Sequence, residues 1–251
     1  MPNSVDPGKA PAREPSLAVV ILHYGPAERT RALHRQLLDA DPDWSERIRV
    51  LDNAAPEPYP GAWLRTEENR YWAGAFGLAL DRCAAEGFSH LWFLNNDLRF
   101  DGPAPYVARA WGRLAHMAKS LGRVGVYTPS VLASPYHPQM VRREGSQQRL
   151  VPYVDGIAPL VDVDCVRAAG GLDCEGNAYG YGVDVWLSLR VGRAGFGVVV
   201  DDQVSVRHKY HSTAREVDGF LSRAAQAEDA YLRARLGDDW REALAALRAG
   251  A

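Results

Sequence analysis

A chain of 251 residues, 47% hydrophobic and 24% charged, has an ordinary globular composition. At that length it can bury roughly 70–75% of its unfolded surface and needs no disulfide or metal staples. Its net charge of −2 argues against a protein built mainly to hold polyanions, although a local basic cluster such as Arg142-Arg143 suits a phosphate-bearing ligand. No run approaches the roughly 18 apolar residues of a membrane span, and the N-terminus lacks a signal-peptide core. Cys83, Cys165 and Cys174 are scattered, without metal-ligand spacing, and Cys83 reads as core filler. A cytoplasmic protein is expected, with peripheral docking at the inner face of a membrane left open.

In chain order, residues 1–16 are rich in proline and polar residues and read as a mobile, disordered tail. Residues 17–24 (LAVVILHY) suit a buried central strand stopped by Gly25-Pro26, and Leu33, Leu37 and Leu38 then mark one face of a helix. Residues 47–52 (RIRVLD) form a second strand ending in Asp52-Asn53, with a weaker extended piece at 63–65. Residues 73–86 predict a helix burying Phe76, Leu80, Cys83 and Ala84, stopped by Gly87. The apolar run Leu91, Trp92, Phe93, Leu94 reads as a strand buried on both faces, turning polar at Asn95, Asn96 and Asp97. Pro103 is expected to open a helix bearing Val107, Trp111, Leu114 and Met117 or Ala118, followed by a strand at 124–127.

This alternation predicts a mostly parallel sheet with helices on both faces. The stretch 130–159 has mixed signals and reads as a partly ordered insertion or an acceptor-side loop. A short strand at 160–163, a short helix at 166–171 and a glycine-aromatic loop at 177–182 follow. Residues 183–195 mix Val185, Leu187, Leu189 and Val191 with Arg190 and Arg193; 196–200 and 204–208 are candidate strands. Residues 216–249 read as one or two helices broken near Gly237.

Four clusters carry chemistry, each with a plain structural reading beside it. Asn95-Asn96-Asp97 offers a carboxylate and two amides in the crevice outside a strand end, yet is also good turn chemistry. Asp52-Asn53 serves either a base or ribose edge or a turn. Asp184 begins a helical pattern, where a carboxylate is either a general base or a cap. His208 and His211, three apart after a strand, place an imidazole on a metal or are ordinary surface histidines. Arg190 and Arg193 are a solvated face or phosphate clamps. No P-loop, dinucleotide fingerprint or nucleophile elbow is present, so a nucleotide would be held by a metal and strand-end polar residues.

The order VILHYG, VLDN, EN-RYWAGAFG, FLNND, AAGGLD, YGYGVDVWLSLR, VRHKYHS resembles the family 2 glycosyltransferases with the GT-A fold, in particular their bacterial rhamnosyltransferase-like branch. The resemblance covers residues 17–213 and implies an α/β GT-A domain: a mostly parallel central sheet flanked by helices, a Rossmann-like nucleotide half and an acceptor-side half. Residues 214–251 are then a helical extension packed on the same domain. It implies an inverting hexosyl- or deoxyhexosyltransferase using a UDP-, dTDP- or GDP-sugar, an acceptor alcohol, and Mn2+ or Mg2+. Asp97 is the implied main metal ligand and His208 the residue completing the metal site. Tyr24, Asp52, Asn53, Asn69, Trp72, Asn95 and Asn96 line the donor, with Asp52 at the uracil or thymine end. Asp184 is the implied base, and Trp186, Tyr181 and His211 lie on the acceptor side. No nucleic acid and no transmembrane segment are expected; a homodimer is left open.

Two departures stand out. The family's Glu before the base is Val183, and an acidic residue two positions after it is Trp186, so Asp184 is expected to lack acidic neighbours. Asn95 replaces the first acid of the metal motif. A binding module without turnover and a sugar nucleotidyltransferase are the alternatives, the latter poorly matched by HYGPAER.

Overall fold

The computed structural model describes residues 15–209 and 219–250. Among them a single sheet is built from β1 (Leu17–His23), β2 (Ile48–Asp52), β3 (Leu64–Arg65), β4 (His90–Asn95), β5 (Leu98–Asp101), β6 (Val124–Val131), β7 (Gln148–Leu150), β8 (Leu160–Asp162) and β9 (Gly197–His208). The strand order is β3-β2-β1-β4-β8-β6-β9-β5, with β7 added on β9. Helices α1 (Ala27–Ala40), α2 (Tyr71–Ala85), α3 (Val107–Leu121), α4 (Val163–Ala168), α5 (Val183–Arg193), α6 (Phe220–Leu236) and α7 (Trp240–Ala249) surround it. None of the described helices is long and apolar enough to cross a membrane.

The sheet has two characters. Strands β3, β2, β1 and β4 are parallel, as right-handed crossovers through α1 and α2 require. Their register brings His23 opposite Asp52 and Leu22 opposite Asn95, so the polar strand ends lie along one edge. Beyond β4 the pairing is mixed: β8 is antiparallel to β4 and β6, while β6 and β9 are parallel. All of 17–21 and 91–94 are fully buried, which explains their unbroken apolar composition. Phe76, Leu80, Cys83 and Ala84 form the buried stripe of α2 as their spacing predicts.

Several boundaries differ from expectation. Ser16 is not part of a loose tail: its carbonyl accepts the His90 amide at 2.9 Å and its amide donates to Ser89 Oγ at 2.7 Å. Pro103 precedes α3 by a turn rather than opening it, and Asp41 accepts the Tyr106, Val107 and Ala108 amides at the helix start. The stretch 130–159 is packed, with Val151, Tyr153, Val154, Ile157 and Ala158 in the interior. The two strands expected at 196–208 are one, bent by a register shift opposite Pro129 and Ser130. At that bend Asp201 and Asp202 are fully buried, each answered by an arginine, Arg113 at 2.6 Å and Arg149 at 2.8 Å. The helices α6 and α7 place Tyr231, Leu232, Trp240 and Leu244 against Val183, Val185 and Leu189 of α5.

Candidate functional site

The carboxyl ends of β1, β2 and β4 gather most of the residues expected to line a donor, and several of them make hydrogen bonds that shape the surrounding loops. Asp52 is fully buried; Oδ1 accepts the Ala55 amide at 2.9 Å, and Oδ2 accepts the Tyr59 amide at 2.9 Å and the Arg65 guanidinium. These bonds make Asp52 a brace for the 53–59 loop. Asn53 is likewise buried: its amide nitrogen donates to Asn69 Oδ1 at 2.8 Å and to the Tyr71 carbonyl at 3.3 Å, and its Oδ1 accepts the Arg70 amide at 2.9 Å. Asn69 Oδ1 also accepts the Tyr71 amide at 2.8 Å. These bonds hold Tyr71 at φ 51°, a left-handed conformation that a tyrosine adopts only under such constraint. Asn96 donates to the Tyr24 carbonyl at 3.1 Å and Thr30 Oγ1 at 2.9 Å, tying the β4 end to the β1–α1 turn.

Asp97 and His208 do come together. Asp97 lies in the turn joining β4 to β5, and β5 pairs antiparallel with β9 so that Leu98 is opposite His208. His208 Nε2 is 3.1 Å from Asp97 Oδ1, both side chains being largely buried. Nearby on the chain, Asn95 Oδ1 is buried without a hydrogen-bond partner among the described residues. Two adjacent ligands of an octahedral ion held at 2.0–2.1 Å lie about 3.0 Å apart, so the pair fits one edge of a hard-cation shell. An O/N donor set of this kind suits Mg2+ or Mn2+. Among the described residues no three His, Cys, Asp or Glu side chains are grouped so as to hold a metal ion. His211 lies outside the described residues.

The second cluster centres on Asp184 in the first turn of α5. Oδ2 accepts the Gly156 amide at 2.6 Å and Oδ1 the Val185 amide at 2.8 Å. A minor share of its surface reaches solvent, but its carboxyl is enclosed. Burial first, and then repulsion from Asp155, push that carboxyl well above the ordinary carboxylate range; the two amides oppose this and Glu228 adds to it. Burial, then Asp155, Glu228 and Asp184, raise the Tyr181 hydroxyl to about 12. Burial also raises the Glu228 carboxyl; Arg241 opposes this, while Asp155 and Asp229 push it further up. Asp184 therefore has acidic neighbours, drawn from a distant turn and from α6 rather than from its own helix. That overturns the expectation drawn from Val183 and Trp186.

Trp72 joins this cluster from α2: its indole N–H donates to the Gly156 carbonyl at 2.7 Å, and its ring stacks on Phe76 at 5.0 Å. Trp186 does not join it. Two residues along a helix point to roughly opposite faces, and the Trp186 indole donates to Asp173 Oδ2 at 3.2 Å beneath Arg193. Asp155, Gly156 and Glu228 escaped the sequence reading. Asp155-Gly156 is a visible turn signal inside a stretch read as loop, whereas Glu228 in an alanine- and arginine-rich helix carries no local signal.

The central sheet flanked by helices matches a GT-A glycosyltransferase structure, GalNAc-T7 solved with UDP, GalNAc and Mn2+. The TM-score is 0.59 at 12% identity, over 78% of this chain and 44% of that one, so this chain spans less than half of the neighbour's length. At the sequence level, Uncharacterized protein Mb1552 of Mycobacterium bovis and Uncharacterized protein Rv1525 of Mycobacterium tuberculosis are each 30% identical over 208 residues, covering 79% of this chain and 76% of theirs. The chain belongs to the family of these mycobacterial proteins. No family model matches it.

Proposed function

We propose that this protein is an inverting, metal-dependent glycosyltransferase of the rhamnosyltransferase-like kind, moving a sugar from a nucleotide diphosphate sugar to an acceptor hydroxyl. The observation carrying the reading is the Asp97–His208 pair at 3.1 Å beside the polar ends of a parallel sheet. Those two residues would hold Mn2+ or Mg2+, whose charge, when bound, offsets that of a departing diphosphate. Tyr24, Asn95 and Asn96 border that edge, and the Asn53–Asn69 pair shapes the loop leading to Trp72. Asp184, its proton affinity raised, takes the proton from the acceptor hydroxyl as that oxygen bonds to the anomeric carbon. The bond from that carbon to the diphosphate breaks, and its electron pair leaves with the phosphate oxygen. A positioned base of this kind supplies ~10²–10⁴-fold.

The test is calorimetric titration with UDP, dTDP and GDP, with and without Mn2+, followed by turnover of the matching sugars. Metal-dependent binding of one nucleotide, weakened about 10- to 100-fold in Asp97→Ala, is expected; no binding of any nucleotide with metal overturns the reading. One observation favours a second reading, a nucleotide-sugar-binding module without turnover: both Asp184 oxygens are engaged by backbone amides. Donor binding without transfer or hydrolysis would favour it.

A further inference from the structure

The 153–156 turn runs through buried Tyr153 and Val154 and ends in Asp155-Gly156 against the start of α5. Its last peptide is fixed from two sides. The Gly156 amide donates to Asp184 at 2.6 Å, and the Gly156 carbonyl accepts the Trp72 indole at 2.7 Å. No side chain fits there: a Cβ on Gly156 would lie 2.6 Å from the Trp72 ring and 3.2 Å from Asp184 Oδ2. Asp155, the preceding residue, is anchored as well. Its amide points at Met140 Sδ at 3.0 Å, and its Oδ2 lies 3.8 Å from His137 Nε2. His137 Nδ1 is buried and has no hydrogen-bond partner among the described residues.

Resting on the transferase reading above, we propose that Asp155 is a positioning residue for the reaction: set beside Asp184 by the Gly156 clamp, its carboxylate keeps Asp184 the proton acceptor of the acceptor side. A carboxylate side chain one residue before the amide that holds Asp184 disfavours a second negative charge there, so Asp184 retains affinity for a proton. That is the property a base near neutrality needs, and it is in line with the raised Asp184 carboxyl. The groups facing this pair are Glu228 from α6, Tyr181 from the loop before α5, and His137 from the segment after β6. Arg241 of α7 acts on Glu228, and Tyr136 on Tyr181. Of these, only Asp155 is joined through one peptide bond to the amide that holds Asp184.

The decisive experiment needs no substrate. Carboxyl-carbon NMR titration of aspartate-labelled full-length protein, with Asp184→Asn to assign the signal, reads the Asp184 midpoint directly. In Asp155→Asn the midpoint is expected to fall by about one pH unit or more; Asp155→Glu is expected to restore it. An unchanged midpoint in Asp155→Asn overturns the proposal. If that variant does not fold, Asp155→Ser is titrated by the same criterion. For whichever sugar nucleotide binds, the acid limb of the Mn2+-dependent turnover profile is expected to move down with the midpoint; a profile that stays put while the midpoint moves also overturns it. If no sugar nucleotide binds while the midpoint shifts as expected, the transferase reading fails and the Asp155–Asp184 linkage stands.

Discussion

His208 Nε2 and Asp97 Oδ1 meet at 3.1 Å because the antiparallel β5–β9 ladder sets Leu98 opposite His208. Two residues far apart in sequence thus share one corner of the sheet, next to the strand ends. If this corner holds the metal, Asp97→Ala is expected to weaken Mn2+-dependent nucleotide binding by about 10- to 100-fold, the worth of a charge-assisted contact. His208→Ala is expected to weaken it less, since the carboxylate remains. Calorimetry with and without Mn2+ separates the two variants.

Asp184→Asn is expected to keep donor binding and lose about 10²–10⁴-fold in transfer. Its stability carries an independent sign. A carboxyl raised in the folded state favours the folded form when protonated and penalises it when ionised. The penalty sets in as pH rises above the ordinary carboxylate value and is complete above the raised one. Relative to Asp184→Asn, the natural protein should therefore lose ground as pH rises through that window, measured as the gap between their melting temperatures.

Asp52 offers a test of its part in the 53–59 loop. Asp52→Ala leaves the Ala55 and Tyr59 amides and the Arg65 guanidinium without their acceptor. A loss of about 2–3 kcal/mol in urea unfolding is expected, the penalty of stranding such donors. Full stability with selective loss of nucleotide affinity would return Asp52 to the base-binding role.

Asp162 caps α4, accepting the Asp164 and Cys165 amides at 2.9 and 3.0 Å while gripping Arg123 at 2.7 and 2.9 Å. Burial pushes its carboxyl up, but Arg123, the Cys165 amide and His90 together bring it below the usual range. Its stabilisation is present above the ordinary carboxylate value and is lost as pH falls through the depressed one. Asp162→Ala is expected to cost about 1–2 kcal/mol near neutrality, and Asp162→Asn less, because the amide oxygen still caps. The difference should shrink in acid melts.

Gly156→Ala should be more damaging than its surroundings suggest. The added Cβ falls 2.6 Å from the Trp72 ring, so either the indole or the turn must shift. A changed tryptophan emission together with reduced turnover is expected; unaltered emission would mean the turn yields without moving Trp72.

Much of the architecture was legible because its signals are local. The apolar runs of β1 and β4 and the Phe76, Leu80, Cys83, Ala84 stripe follow from burial on two faces and on one. The pairing of Asp97 with His208 followed from resemblance to a family, since no local pattern carries a contact made through strand register. What escaped was long-range or rotational. Leu98–Asp101 is too short and too charged to announce a strand, and it exists because β9 pairs with it. The β9 bend carries two aspartates that look like a loop until Arg113 and Arg149 are placed beside them. Trp186 is only two residues from Asp184, yet helix rotation turns its indole to Asp173. Asp155 and Glu228 reach Asp184 only through the folded chain.

Strand β9 borders β6, β7 and β5 along its twelve residues before delivering His208 at its far end. It works as a ruler: the buried Asp201–Arg113 and Asp202–Arg149 pairs are its zero mark, and the imidazole is the reading. A slip of one residue would turn every following side chain to the opposite face and carry His208 away from Asp97. Substitutions at Arg113 or Arg149, which hold that bend, therefore bear on where His208 meets Asp97.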